Sequence, residues 1–201
     1  MLHIYFFWMM KNCITILFFS LLLISFKISD NIIIDKVQAQ NAFTCLNDIR
    51  TNPAKYYKDF DFLRTLKMRN TKLVWNDTLA KVAEAKAFDM AQRNYFGHVD
   101  PDGYGINYFI NKSGYKLDPL WISEKELNYF ESIAAGSVNG EDAVKTLIMD
   151  MNKPPFGHRN HLLGIDSWNA SLNDIGIGYA RSDSGSTYDT YVTLIIAKHN
   201  W

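Results

Sequence analysis

The sequence predicts an α+β domain in which helices come first and strands last. Three observations support this. Leu79, Val82, Ala83, Ala87, Met90 and Ala91 recur at helical spacing along one stretch. Near the C-terminus, Ile175, Ile177 and Tyr179 alternate with Gly176 and Gly178, and Tyr191-Val192-Thr193-Leu194-Ile195-Ile196-Ala197 is a continuous run rich in β-branched residues. Ser182-Asp183-Ser184-Gly185-Ser186 joins these two runs as a hairpin loop.

Each element has a local reason. Phe43 to Tyr57 has a helical pattern, interrupted near Asn52-Pro53 because proline suits a helix start and not its interior. Asn76 or Asp77 caps the second helix, which runs to about Asn94 and leaves His98 just past its end. Pro101-Asp102-Gly103 is a turn, in which proline presets one dihedral and glycine supplies the positive one. Gly105 to Lys112, closed by Gly114, gives a third helix, Glu141 to Met151 a fourth, and Arg159 to Leu163 one more turn. Lys116 to Asn128, with Pro119 and several charges around Leu120-Trp121-Ile122, reads as a long loop and a candidate cleft rim. Asp174 to Ala180 and Tyr188 to Lys198 are the strands; Gly176 and Gly178 lack the third glycine and following helix of a dinucleotide site.

A chain of 201 residues, 48% hydrophobic and 14% aromatic, builds one ordinary core. Its formal net charge is zero, and residues 40–201 alone carry one net negative charge, so nothing points to nucleic acid as a partner. Residues 1–39 stand apart from the domain assigned to 40–201. Met10-Lys11-Asn12 precedes an apolar run of thirteen residues, Ile14 to Phe26, with the length of a secretory signal core, and either Met1 or Met10 serves as start. Val37-Gln38-Ala39 offers a small residue for cleavage; the alternative is an uncleaved anchor from about Leu2 to Phe26, which would be the protein's one attachment to a membrane. Either way, the expected location is secreted or cell envelope. Of two cysteines, Cys13 and Cys45, the first falls in this leader, so no internal disulfide is expected and Cys45 reads as a buried thiol.

The residues suited to chemistry are Tyr95-Phe96-Gly97-His98-Val99-Asp100-Pro101-Asp102-Gly103, Tyr129-Phe130-Glu131-Ser132-Ile133, Leu147-Ile148-Met149-Asp150 and Gly157-His158-Arg159. Two imidazoles and two carboxylates suit a divalent cation, zinc foremost, if the fold brings His98, Glu131, Asp150 and His158 together.

With Leu73-Val74-Trp75-Asn76-Asp77-Thr78-Leu79-Ala80, Asp89-Met90-Ala91-Gln92-Arg93-Asn94 and Gly114-Tyr115, these motifs stand in the order seen in the CAP superfamily of cysteine-rich secretory, antigen 5 and pathogenesis-related proteins. From about Ala42 onward the chain resembles a bacterial-type member with an SCP domain. The resemblance implies an α-β-α sandwich with a small antiparallel sheet, and a cleft holding two histidines and two acids, mapped to His98, Glu131, His158 and, less closely, Asp150. Two departures stand out. The usual Glu-Asn-Ile reads Glu131-Ser132-Ile133, and Leu147 and Asp150 replace the family's tryptophan and glutamate. The shorter carboxylate reaches about one methylene less far, which implies a weaker or water-mediated metal site.

The residues alone leave plainer roles open: a structural histidine at position 98, a Glu131–Arg159 pair or a helix cap near Ser132, a solvated Asp150, a packed His199 and a peripheral His161. Three functions follow. An exported, non-enzymatic binding module with a lipid or envelope ligand is preferred; a metal-dependent hydrolase with Glu131 as base and a structural cell-surface protein are the alternatives. A serine hydrolase is disfavoured, because no Gly-X-Ser-X-Gly elbow is present and nothing in the sequence activates Ser132.

Overall fold

A computed structural model describes residues 32–69, 71–151, 154–183 and 185–199. The apolar run Ile14 to Phe26 and Cys13 lie outside the described residues.

The helix predicted from apolar spacing is α2 (Asp77–Gln92); Asn76 caps it, its side chain accepting from the amides of Thr78 and Leu79. Its buried face contains all six residues that carried the prediction, with Ala80 and Lys86 added. α1 spans Lys36–Thr51, α3 Ile106–Lys112, α4 Gly140–Met149 and α5 Gly157–Leu163. The strands β1 (Ile32–Ile34), β2 (Val74–Trp75), β3 (Glu131–Ala135), β4 (Asp174–Ser182) and β5 (Thr190–Ala197) form one sheet, ordered β1-β4-β5-β3 with β2 beside β4. The pairings are antiparallel except β2 with β4, which is parallel and two residues long.

The register sorts the helices into two layers. Gly176, Gly178 and Ala180 of β4 share a face with Ile195, Thr193 and Tyr191 of β5. A Cβ on Gly176 would run into the backbone of Leu79 and Ala80, and one on Gly178 into Ala83, so α2 lies against this face with its backbone on the sheet. Ile175, Ile177 and Tyr179 point the other way, as do Ile196, Leu194 and Val192, toward α1 and α4. The result is helix, sheet, helix: the alternating strand with glycines and the continuous apolar strand are both buried on two sides.

Sequence reasoning placed the first helix too late. α1 begins at Lys36, where Asp35 accepts from the amide of Gln38, and ends at Thr51, with Pro53–Tyr56 forming a separate 3-10 turn. β1 pairs with β4, and the Asp35 carboxylate, 2.9 Å from the Arg181 guanidinium, joins that edge. Among the described residues, β1 and the first turn of α1 fall inside the stretch 1–39 set apart as leader, and Ala39 is itself core. Polar alternation does not reveal β1, which is three residues long and has none buried, or β3, which is five residues long and nearly all buried.

Two buried side chains fix α1 to its surroundings. Asn47 exchanges both hydrogen bonds with the backbone of Leu73, at 2.8 and 3.1 Å. Arg50, fully buried, donates to the carbonyls of Thr71 and Leu162, tying α1 to the end of α5; burial pulls its pKa down to about 10. Cys45 is buried as expected, and burial pushes its thiol up to about 11.

A chain beginning at Gln40 is expected to melt at least about 5 °C below one beginning at Asn31, because it loses β1 and a helix cap worth about 1 kcal/mol. Equal melting temperatures would place the start of the folded domain after Ala39. Gly178→Val is expected to cost about 3 kcal/mol or more, by forcing α2 off the sheet; urea denaturation reads this directly.

Candidate functional site at the edge of the sheet

β3 starts where Asn128 Oδ1 accepts from the amides of Phe130 (3.2 Å) and Glu131 (3.0 Å). Glu131 therefore begins a strand and caps no helix. Alternation along β3 sets Glu131 and Ser132 on opposite faces of the sheet, opposite Ile195 and Leu194 of β5. Because β3 is an edge strand, groups from both helix layers can meet around it.

His98 reaches Glu131 from the loop after α2. Arg93 lies within 2.8 Å of Asp89, 2.6 Å of Asp102 and 3.4 Å of Asp100, and Asp100 Oδ1 accepts from the amides of Asp102 (2.9 Å) and Tyr104 (2.8 Å). Lys86, buried in α2, donates to Tyr95 Oη (3.1 Å) and to the His98 carbonyl (3.2 Å). Burial holds its ammonium below the usual lysine value, opposed by the nearby carboxylates of Glu131, Asp100 and Asp89. In this braced loop His98 Nδ1 stands 2.9 Å from Glu131 Oε2.

The second pair comes from the other layer. α4 stops at Met149, two residues short of expectation, and Asp150 takes a left-handed backbone with φ 43°. That conformation is costly for a residue with a Cβ. It turns the carboxylate onto the start of α5, where Oδ2 accepts from the amides of His158 (3.0 Å) and Arg159 (3.3 Å) and Oδ1 lies 3.5 Å from His158 Nδ1. Asp150 thus caps α5 and orients His158. Arg159 does not pair with Glu131: its guanidinium stacks between Phe62 and Phe156 and donates to the carbonyls of Ile148 and Met149.

All four candidate residues line one cavity of about 400 Å³, together with Ser132 and His161. They form two histidine–carboxylate pairs. The imidazoles are outermost, 42% and 29% exposed, and the carboxylates lie behind them at 0% and 1%. Among the described residues no three His, Cys, Asp or Glu side chains stand close enough to hold a metal ion together. The four-ligand shell expected from the sequence is therefore not formed: Glu131 Oε2 is engaged by His98, and the Asp150 oxygens by α5 and His158. Among the described residues, Glu131 Oε1 is buried without a hydrogen-bond partner.

The family model described as the cysteine-rich secretory protein family, CAP, matches residues 43–196. The chain belongs to the CAP family. The uncharacterized protein YkwD of Bacillus subtilis (strain 168) is 37% identical over 109 residues, 54% of this chain, and the match spans 35% of that protein's length. Two solved structures share the fold. An extracellular protein containing an SCP domain from Bacillus anthracis superposes with TM-score 0.50 at 22% identity, over 82% of this chain and 41% of that one. An outer surface protein from Borrelia burgdorferi gives 0.53 at 18% identity, over 84% and 98%.

In this CAP domain the cleft has a residue that sequence reasoning set aside. His161 is buried, with Nδ1 2.8 Å from Ser132 Oγ and Nε2 3.5 Å from the Ile196 carbonyl. The carbonyl can only accept, so Nε2 carries the proton and the serine hydroxyl donates to Nδ1. This bond links β3 to α5 across the floor of the cavity, and Ser132, which stands where the family has asparagine, makes it. Spacing was the available signal: His161 lies one helical turn after His158. His199 proved exposed, its Nδ1 2.7 Å from Asp174 Oδ2 beside Tyr115.

Burial lowers the pKa of His161 to about 4. Below the unfolded value of 6.5, only the unfolded chain takes up this proton. The contribution is thus fully present above about pH 6.5 and lost as the pH falls toward 4, amounting to about 3 kcal/mol. Urea midpoints of the wild type should drop more steeply from pH 7 to pH 5 than those of His161→Gln. Parallel profiles would show that His161 titrates normally.

Proposed function

We propose that this protein is an exported CAP-domain binding module whose ligand occupies the cleft at the sheet edge, with a divalent cation, zinc foremost, held there by His98 and His158. One observation supports this reading above the others: two partly exposed imidazoles line a single cavity, each backed by a buried carboxylate. A carboxylate on Nδ1 keeps that nitrogen protonated and leaves the Nε2 lone pair as the donor, the arrangement in which carboxylates orient metal-binding histidines from behind. Two imidazoles would supply two nitrogen donors, with the cation's other positions left to water or ligand. Such a cation would supply positive charge for oxygen or nitrogen atoms of the ligand.

Binding suits the site better than hydrolysis. The serine of this cavity donates to an imidazole that burial makes a weak base, so Ser132 is not an activated nucleophile. Glu131 Oε2 is occupied as the orienting partner of His98. Export agrees with the apolar run Ile14 to Phe26, and relatives of the same fold are described as extracellular and outer surface proteins. An extracytoplasmic module of this kind would meet ligands of the cell envelope.

Zinc at ten to a hundred times its Kd should stabilise untagged protein by roughly 1 to 3 kcal/mol, read as a rise in melting temperature. His98→Ala and His158→Ala should each remove that rise. Equal zinc shifts in the wild type and both variants would show that the cation binds elsewhere.

A further inference from the structure

The described chain enters the fold through a short strand and a helix cap, and both depend on residues ahead of Gln40. Ile33 stands opposite Arg181 in the pairing of β1 with β4, and the Asp35 amide donates to the Tyr179 carbonyl at 2.8 Å. The Asp35 side chain caps α1 and holds Arg181 at 2.9 Å, while Ala39 packs in the core. A cut at Val37-Gln38-Ala39 would therefore deliver a product without β1, without the cap and without the first turn of α1. No earlier stretch offers a substitute. From position 20 to 31 the small residues are Ser20, Ser25 and Ser29, and no two of them stand two apart, the spacing that signal cleavage reads. Leu2 to Phe26, by contrast, has one charged side chain, Lys11, and exceeds the roughly 20 residues that a helical span needs.

We infer that the run Leu2 to Phe26 stays on the chain as a membrane anchor, and that the corner where β1 enters the domain rests against the bilayer. This rests on where the domain begins and not on the reading of the cleft. Lys27 to Asn31 alone separate Phe26 from Ile32, and so few residues reach at most about 20 Å even when extended. The corner is thus confined to the membrane surface. Its side chains suit contact with lipid. Ile32 and Ile34 pack toward Ala87 and Met90 of α2, which turns Ile33 to the other face of the sheet. Val138 joins Ile33 and Val37 at this corner, because Gln38 Oε1 accepts from the Gly140 amide at 2.9 Å and a Cβ on Gly140 would strike the Gln38 carbonyl. Ile33, Val37 and Val138 are 46%, 68% and 77% exposed. Single exposed apolar residues are ordinary, but three at the entry point of a chain that arrives from an apolar run match a bilayer surface. The cleft lies at the other end of the sheet. Ile34 and Ala135 belong to the end marked by Ala180 and Tyr191, whereas Glu131 lies opposite Ile195 and that residue opposite Gly176, about 13 Å further along. A domain seated on this corner presents its cleft away from the membrane, toward the surrounding envelope.

The test uses the full chain, made in a bacterial host and recovered from its fractions. The intact mass should include residues 14–26, and washing with alkaline carbonate should leave the protein in the membrane pellet. Seating is read after reconstitution into vesicles of phosphatidylcholine and phosphatidylglycerol, with a fluorophore on Val138→Cys in a Cys13→Ser background; Cys45 is buried and stays unlabelled. Nitroxide lipids should quench this position at least about twofold more strongly than the same fluorophore on Leu120→Cys, which is exposed beside the perpendicular indoles of Trp121 and Trp168 at the cleft end. A soluble product whose mass begins at Gln40, or at any residue after Phe26, would overturn the inference. Equal or reversed quenching at the two positions would overturn the seating of the corner. Neither readout involves zinc, so failure of the metal reading would leave this inference standing, and its own failure would leave the metal reading untouched.

Discussion

The antiparallel pairing of β3 with β5 is the constraint on which the cleft depends. Because side chains alternate along a strand, Glu131 and Ser132 are consecutive in sequence yet face opposite helix layers, and because β3 is the edge strand no further described strand covers its outer side. A central strand would separate the two faces completely. At the edge, the loop after α2 and the start of α5 approach each other around the end of β3, and the cavity opens there. A one-residue slip in the register would exchange Glu131 with Ser132 and separate both from their histidines.

Burial of the two carboxylates makes the rest of the site intelligible. A carboxylate removed from water is stable only when hydrogen bonds or charges replace its hydration. Asp150 obtains them from the amides of α5, at the cost of a left-handed backbone. Glu131 has one oxygen on His98, the other without a partner among the described residues, and the Lys86 ammonium among its charged neighbours. The same groups thus hold the loops in place and orient the imidazoles. Lys86 contributes to both, since it binds the backbone of the residue whose ring points at Glu131. The aspartate in place of the family's glutamate suits this arrangement: Asp150 caps α5 and also lies 3.5 Å from His158.

Much of this was legible in one sequence. The periodicity of α2, the cap at Asn76, the turn at Pro101-Asp102-Gly103 and the two C-terminal strands depend on local rules, and each appears within a few residues of its expected place. The ordered motifs named the family, and with it the four residues that line the cleft. Less was legible where structure comes from partners distant in sequence. β1 and β3 are three and five residues long and owe their strand conformation to β4 and β5. α1 starts earlier than its apolar pattern because Asp35 follows directly on β1 and caps the helix, a link that no periodicity records.

The sequence by itself determined the main helices and the two C-terminal strands, because periodicity and turn chemistry are local properties; the layered fold and the choice of His98, Glu131, Asp150 and His158 as one group came from the resemblance of its ordered motifs to the CAP superfamily. Only the tertiary structure decided how these groups are paired. A list of two histidines and two acids is equally consistent with four ligands around one ion and with two imidazoles each backed by a carboxylate; the difference lies in distances of 2.9 and 3.5 Å set by a strand edge, a braced loop and a left-handed residue. The buried Ser132–His161 bond and the perpendicular indoles of Trp121 and Trp168 are of the same kind. They join residues 29 and 47 positions apart in sequence, and their geometry exists only once the sheet and both helix layers have closed around them.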